Sequence, residues 1–269
     1  MKHTLINLII GISVLLSYTK ILALEEKDYK AMLDHHNKLR SALATGRMRG
    51  YPPASNMAQL QYNEELAQKA QAWANLLGRR CSGMQHNSDK TSKSFKYVGE
   101  NIYTSMTTGQ RSSVSQSLLD GSVEWYKEIR FCPINEVYRF TNRGRGGVIG
   151  HYTQQIWAES TDIGCGYSEC RSGGWNTVFT VCNYGPGGNM MGDPIYQAGQ
   201  ACTRCQSGFR CSSEFQGLCV RKQATESLTM LSLKDELDVT TPREGKFRFE
   251  LGEPLVFEKE DKSDDSFLG

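Results

Sequence analysis

Nine cysteines spread unevenly along 269 residues constrain this chain more than any other feature. Cys81, Cys132, Cys165, Cys170 and Cys182 are scattered through its middle, whereas Cys202, Cys205, Cys211 and Cys219 crowd into a short Gly- and Ser-bearing segment. That segment has little apolar material, so disulfides replace a core it cannot build. The odd total leaves at least one cysteine over, or paired with another chain. Zinc is the competing reading for Cys202-X-X-Cys205 with Cys211 and Cys219, because thiolate ligands favour such spacing. In an exported chain the oxidised form is the expectation.

Export is what the N-terminus predicts. Lys2 and His3 precede the apolar run Leu5 to Leu16, and Ala23 offers a small residue near a cleavage point, so residues 1–23 read as a signal peptide. The run is shorter than the roughly 20 residues a membrane span needs, so no transmembrane span is expected after cleavage. A net charge of +2, with no basic block interleaved with aromatics, gives no case for nucleic acid. There is no Asn-X-Ser/Thr sequon, hence no expectation of N-glycosylation.

Three helices and two strands follow from periodicity. Tyr29, Met32, Leu33, His36, Leu39 and Leu43 recur at helical spacing. A second helix is capped by Asn63, carries Glu64 and Glu65 in its first turn, buries Leu66, Ala67, Ala70, Trp73, Ala74 and Leu77, and ends at Gly78. A third is predicted from about Val114 to Ile129, with Leu118, Ser122, Trp125 and Ile129 facing inward. Residues 162–169 and 176–183 read as strands. Helices in the first half and strands in the second predict an α+β sheet covered on both faces. The tail, 221–269, is of mixed charge with an acidic end and weak periodicity, and reads as a loosely ordered extension.

Two blocks identify a family. Gly150-His151-Tyr152-Thr153-Gln154-Gln155-Ile156-Trp157 and Val181-Cys182-Asn183-Tyr184-Gly185-Pro186-Gly187-Gly188-Asn189 closely resemble the signatures of the CAP superfamily. That superfamily comprises cysteine-rich secretory proteins, antigen 5 and plant pathogenesis-related proteins. The resemblance implies a three-layer α-β-α sandwich over residues 24–199, followed by a small hinge-like module at 200–220. It also implies Cys81–Cys170, Cys165–Cys182, Cys202–Cys211 and Cys205–Cys219 disulfides, leaving Cys132 unpaired. His36-Asn37-Lys38-Leu39-Arg40 matches the family's first-helix motif, whose polar side chains tie helix to core. Gln154 and Trp157 are expected beneath the cleft, and His35 as a solvated neighbour.

The family's cleft tetrad carries over residue by residue: His86 in Gln85-His86-Asn87, Glu100 in Gly99-Glu100-Asn101-Ile102, Glu128 three residues past Trp125, and His151. Asn87 stands where the family usually has serine. Two imidazoles and two carboxylates can hold zinc or another divalent cation, with His86 and His151 as ligands. They can also run acid–base chemistry, or simply form a hydrogen-bonded network. No His-Glu-X-X-His helix, Gly-X-Ser-X-Gly elbow or Cys-His-Asn pattern is present, so a hydrolase has little sequence support.

Family members also bind small lipids, and the resemblance points to the loop after the second carboxylate for sterols and to a helix groove for fatty acids. Here Phe131, Ile134, Val137, Tyr138 and Phe140 are the candidates for an apolar pocket, followed by the Gly-rich stretch 141–149. The leading expectation is therefore a secreted, non-enzymatic protein that binds sterol or fatty acid. The alternatives are a venom-allergen-type effector acting through an unknown protein receptor, a hydrolase, and a channel modulator. The last is disfavoured because only four cysteines follow residue 200.

Overall fold

The computed structural model describes residues 24–222. The signal-peptide and tail expectations lie outside the described residues. Helix α1 (Glu26–Ala44) is followed by the short strand β1 (Gln61–Tyr62), α2 (Glu64–Arg80), β2 (Gly99–Thr107) and α3 (Val114–Tyr126). A 3-10 turn (Lys127–Phe131), α4 (Asn135–Tyr138) and α5 (Gly150–Gln155) lead to the long hairpin β3 (Asp162–Ser172) and β4 (Trp175–Gly185). Strands β5 (Phe209–Cys211) and β6 (Cys219–Arg221) close the described chain.

The main sheet has the order β1-β3-β4-β2, antiparallel except for the β1–β3 pair. Its two faces bury different helices, because successive side chains along a strand alternate sides. Phe179 and Val181 of β4 pack with Ile102 against Ala70, Ala74 and Leu77 of α2. Cys182 and Tyr184 join Met32 of α1 and Leu118 and Trp125 of α3 on the opposite face. Three α-β-α layers result, as the blocks implied. The fit to α2 is close: a Cβ on Gly166 would sit 2.4 Å from the Gln71 backbone, and one on Gly164 2.1 Å from the Ala67 nitrogen.

Two helix ends differ from expectation. Helix α2 runs through Gly78 to Arg80, and Cys81 takes the left-handed turn at φ 50°. Gly78 serves packing instead, since a Cβ there would lie 2.5 Å from the Ser168 hydroxyl oxygen. Helix α3 stops at Tyr126 and tightens into the 3-10 turn, which is what swings Glu128 inward. Strand β2 was not foreseen as a strand: Gly99, Asn101 and Thr104 dilute its apolar pattern, and pairing with β4 along its whole length decides it.

Four disulfides join Cys81 to Cys170, Cys165 to Cys182, Cys202 to Cys211 and Cys205 to Cys219. Cys132 is free and buried, and burial pushes its thiol up to about 11. The sulfurs of Cys202, Cys205 and Cys219 gather within 4.8 Å of one another. Each is already in a disulfide, however, and zinc needs thiolates. This segment is sewn to the rest of the unit: Cys219 N donates to Met57 O, Gln59 N donates to Cys219 O, and Arg221 pairs with Asp162.

The first-helix motif is buried and fully used. Arg40 lies wholly inside and donates five hydrogen bonds, to the carbonyls of Ala58, Gln155, Trp157, Ala158 and Ser160. Asn37 donates to Leu60 O and accepts from Leu60 N, and His36 bridges Met32 O and the Tyr184 hydroxyl. His35 is not the solvated neighbour expected. It is half-buried, its Nδ1 is 2.7 Å from the Ser122 hydroxyl, and its ring meets Tyr126 edge-on.

Candidate functional site

The four tetrad residues come from four separate pieces of chain, and the structure gathers them as two His–Glu pairs. His86 sits on the loop after α2, and its Nδ1 lies 2.7 Å from Glu100 Oε1 on β2. The same oxygen accepts from Asn87 N at 2.9 Å and faces Lys90 Nζ at 3.5 Å. His151 opens α5, with Nδ1 2.6 Å from Glu128 Oε1 on the 3-10 turn. The other Glu128 oxygen accepts from the backbone N–H groups of His151 and Tyr152, at 2.9 and 3.1 Å. Glu128 thus takes charge-assisted bonds at both oxygens and is committed to holding His151.

A cavity of about 220 Å³ opens between the pairs, lined by His86, Glu100, Asn101, Asn142, Val148, Gly150, His151 and Asn189. Both histidines use Nδ1 for their carboxylates, and neither Nε2 has a hydrogen bond among the described residues. The His151 ring also stacks 6.2 Å from Trp125, within 15° of parallel. The two imidazoles and the Glu100 carboxylate line one space, while Glu128 stays outside that lining with both its oxygens bonded to the start of α5. The arrangement is not a four-ligand cage.

Sequence reasoning missed the asparagines. Asn101 donates to His151 O and to the Tyr184 hydroxyl, tying β2 to α5. Asn189 donates to Gly150 O and accepts from the Thr153 hydroxyl, bracing the same short helix. Both lie inside blocks already singled out, beside Glu100 and at the end of the second signature, and that adjacency was the available signal. Beneath them Gln154 donates to the Ser160 hydroxyl and accepts from Gly188 N.

The five lipid-loop candidates separate. Val137 and Phe140 are in the core, the latter edge-on to Trp157. Phe131 is half-buried under Arg130. Ile134 and Tyr138 are exposed, 39% and 59%. Glu136 fixes the following turn by accepting from Thr141 N, the Thr141 hydroxyl and Asn142 N, which places Asn142 at the cleft.

Among the described residues no helix is long and apolar enough to cross a membrane. Over residues 33–184 the chain matches the cysteine-rich secretory protein (CAP) family. It is 39% identical over 200 residues to scoloptoxin SSD43 of Scolopendra dehaani, spanning 73% of this chain and 86% of the relative. Venom allergen 5.02 of Dolichovespula maculata is 34% identical over 184 residues, 66% of this chain and 80% of its own. Among solved structures, that of NaASP2 with Zn2+ shares 29% identity at a TM-score of 0.57, covering 73% of this chain and 97% of that one. Relatives named as venom and secretory proteins and four disulfides agree with an oxidising compartment. The chain belongs to the CAP family of cysteine-rich secretory proteins, among its venom-allergen-like members.

Proposed function

We propose that this is a secreted, non-catalytic CAP protein whose cleft takes up a divalent metal, zinc foremost, on Nε2 of His86 and His151. The observation that carries this reading is the commitment of each Nδ1 to its own carboxylate. A carboxylate behind a histidine fixes the tautomer, aims the other nitrogen and raises its basicity as a ligand. Two neutral imidazoles suit zinc, which would supply Lewis acidity at its remaining positions. A solved relative with Zn2+, 29% identical, supports the reading. Two protein donors make a weak, open site. The described cleft has no serine or cysteine among its lining residues to act as nucleophile.

Isothermal titration of zinc into chelator-stripped protein tests it. One saturable site, lost in a His86→Ala, His151→Ala variant of unchanged fold, is the expected result. Equal uptake by both proteins would overturn it.

Capture of a sterol or fatty acid is a second reading, favoured by the exposed Ile134 and Tyr138 on the loop beside the cleft wall. Large apolar side chains left in water on one short segment mark a contact surface. With Phe140 in the core, Tyr138→Ala is the informative substitution. Saturable sterol binding that this change abolishes would support the reading, and no binding by the unaltered protein would end it. In that case contact with a protein receptor would be the remaining role.

A further inference from the structure

A second, larger concavity shares no lining residue with the metal cleft. It has a volume of about 530 Å³ and lies where the disulfide segment meets the sandwich, with Arg204, Phe209 and Arg221 on one side and Phe95, Asn56 and Gln197 on the other. Ligand sites concentrate at such junctions between substructures.

Its walls show what they would recognise. Asn56 is 6% exposed, and its Oδ1 is spent on Gln197 N, leaving the Nδ2 donor without a partner among the described residues. That donor is not one of the fully buried unpaired atoms of the described residues, so it reaches the solvent of the cavity and can exchange water for a ligand. Gln197 Oε1 takes one bond from Arg204 Nη1, so its amide N–H groups and the rest of that guanidinium remain available. Gln206 and Glu159 add an amide and a carboxylate with no side-chain partner among the described residues. Two aromatic rings stand among these polar groups. Phe209 is held under the Arg221 guanidinium at 5.9 Å, and Arg221 is itself anchored by Asp162 and Thr161. Phe95 lies across Gly185, where a Cβ would approach the ring to 2.7 Å.

Several backbone N–H groups around the groove, by contrast, are already bonded. They are those of Phe95, Thr161, Gln197, Arg204 and Phe209. These five positions offer an extended peptide no free backbone N–H to pair with. Planar amides and a guanidinium, which both grip adjacent hydroxyls, together with aromatic faces for C–H surfaces, are the chemistry of a sugar site.

From this we infer that the groove binds a short oligosaccharide through Asn56, Gln197, Arg204 and Gln206, with Phe95 and Phe209 as platforms. Saturation-transfer NMR and calorimetry on the whole secreted chain would use chitotriose, maltotriose and mannotriose as probes. Saturable binding of at least one is expected. It should weaken about tenfold in an Arg204→Ala, Gln206→Ala variant, whose changes fall on exposed side chains, as for the loss of one or two hydrogen bonds to charged or amide groups. The same affinity is expected in the His86→Ala, His151→Ala variant. No saturable binding to any trisaccharide overturns the inference, as does binding indifferent to the arginine and glutamine changes. Binding of a polyglutamate peptide in place of the sugars would overturn it too, and would mark the groove as a protein-binding site.

Discussion

Glu128 grips His151 at two points, accepting from its backbone N–H at 2.9 Å and lying 2.6 Å from its ring Nδ1. One carboxylate therefore sets both where the helix α5 begins and which way the imidazole faces. Glu128→Gln keeps the shape but removes the charge behind the ring. Zinc affinity should fall by about 10- to 100-fold, the usual consequence of losing such a supporting partner. Titration calorimetry on both proteins measures it. An unchanged affinity would show that His151 is not a ligand.

His36 and His35 give the fold a pH dependence. Burial lowers His36 to about 3 and His35 to about 4, from an ordinary 6.5, with Lys38 adding to the effect on His35. Both are neutral when folded, so their stabilisation is complete above pH 6.5 and declines as pH falls toward the folded values. Each should remove about 1.4 kcal/mol per pH unit below the unfolded value. Urea unfolding at pH 7.5, 6 and 5 checks this, and His35→Gln should roughly halve the slope.

Arg40 carries a buried charge that, among the described residues, is met by five carbonyl acceptors and no carboxylate. Desolvation lowers its pKa to about 9 without neutralising it near neutral pH. Arg40→Met strands those carbonyls and should cost about 3 kcal/mol or more. Lysine cannot span the same fork, so Arg40→Lys should also destabilise. Denaturant midpoints for the two variants test both statements.

Glycine-to-alanine changes inside helices ordinarily stabilise by about 1 kcal/mol. Gly78→Ala should reverse that sign, because the new Cβ meets Ser168 at 2.5 Å. In a Ser168→Gly background the penalty should shrink, and additive losses in the double variant would refute the contact.

Phe140 and Tyr138 are two residues apart and should behave oppositely. Phe140→Ala empties a core position and should cost about 3–5 kcal/mol. Tyr138→Ala, at the surface, should change stability by about 0.5 kcal/mol or less. Thermal melts separate them before any lipid is added.

Much of this was legible in the chain. Asn63 capping α2, the β-branched run of β4 and the two signature blocks gave the layers, because local pattern and tertiary burial agree there. Gly78 misled because a glycine near a helix end has two uses, and only the distance to Ser168 tells packing from termination. Val137 and Phe140 misled for a related reason: an apolar residue beside a cleft is equally apolar facing inward. The pairing of each histidine with its own glutamate was not legible either. It depends on the 3-10 turn that carries Glu128 and on the β2 register that carries Glu100, both set by long-range contacts.

The sheet order has a consequence for how the protein is made. Strands β1 and β2 lie at the two edges, and each pairs only with a strand of the β3–β4 hairpin. As the chain is synthesised, its first three helices have no sheet to cover until residue 185 has followed. Cys81 waits for a partner 89 residues further on. Through that interval its thiol and the apolar faces of the helices are open to wrong partners, as for any chain whose decisive contacts are distant in sequence. The yield of folded protein should therefore depend on chaperones and disulfide isomerase more than on the final stability of the fold.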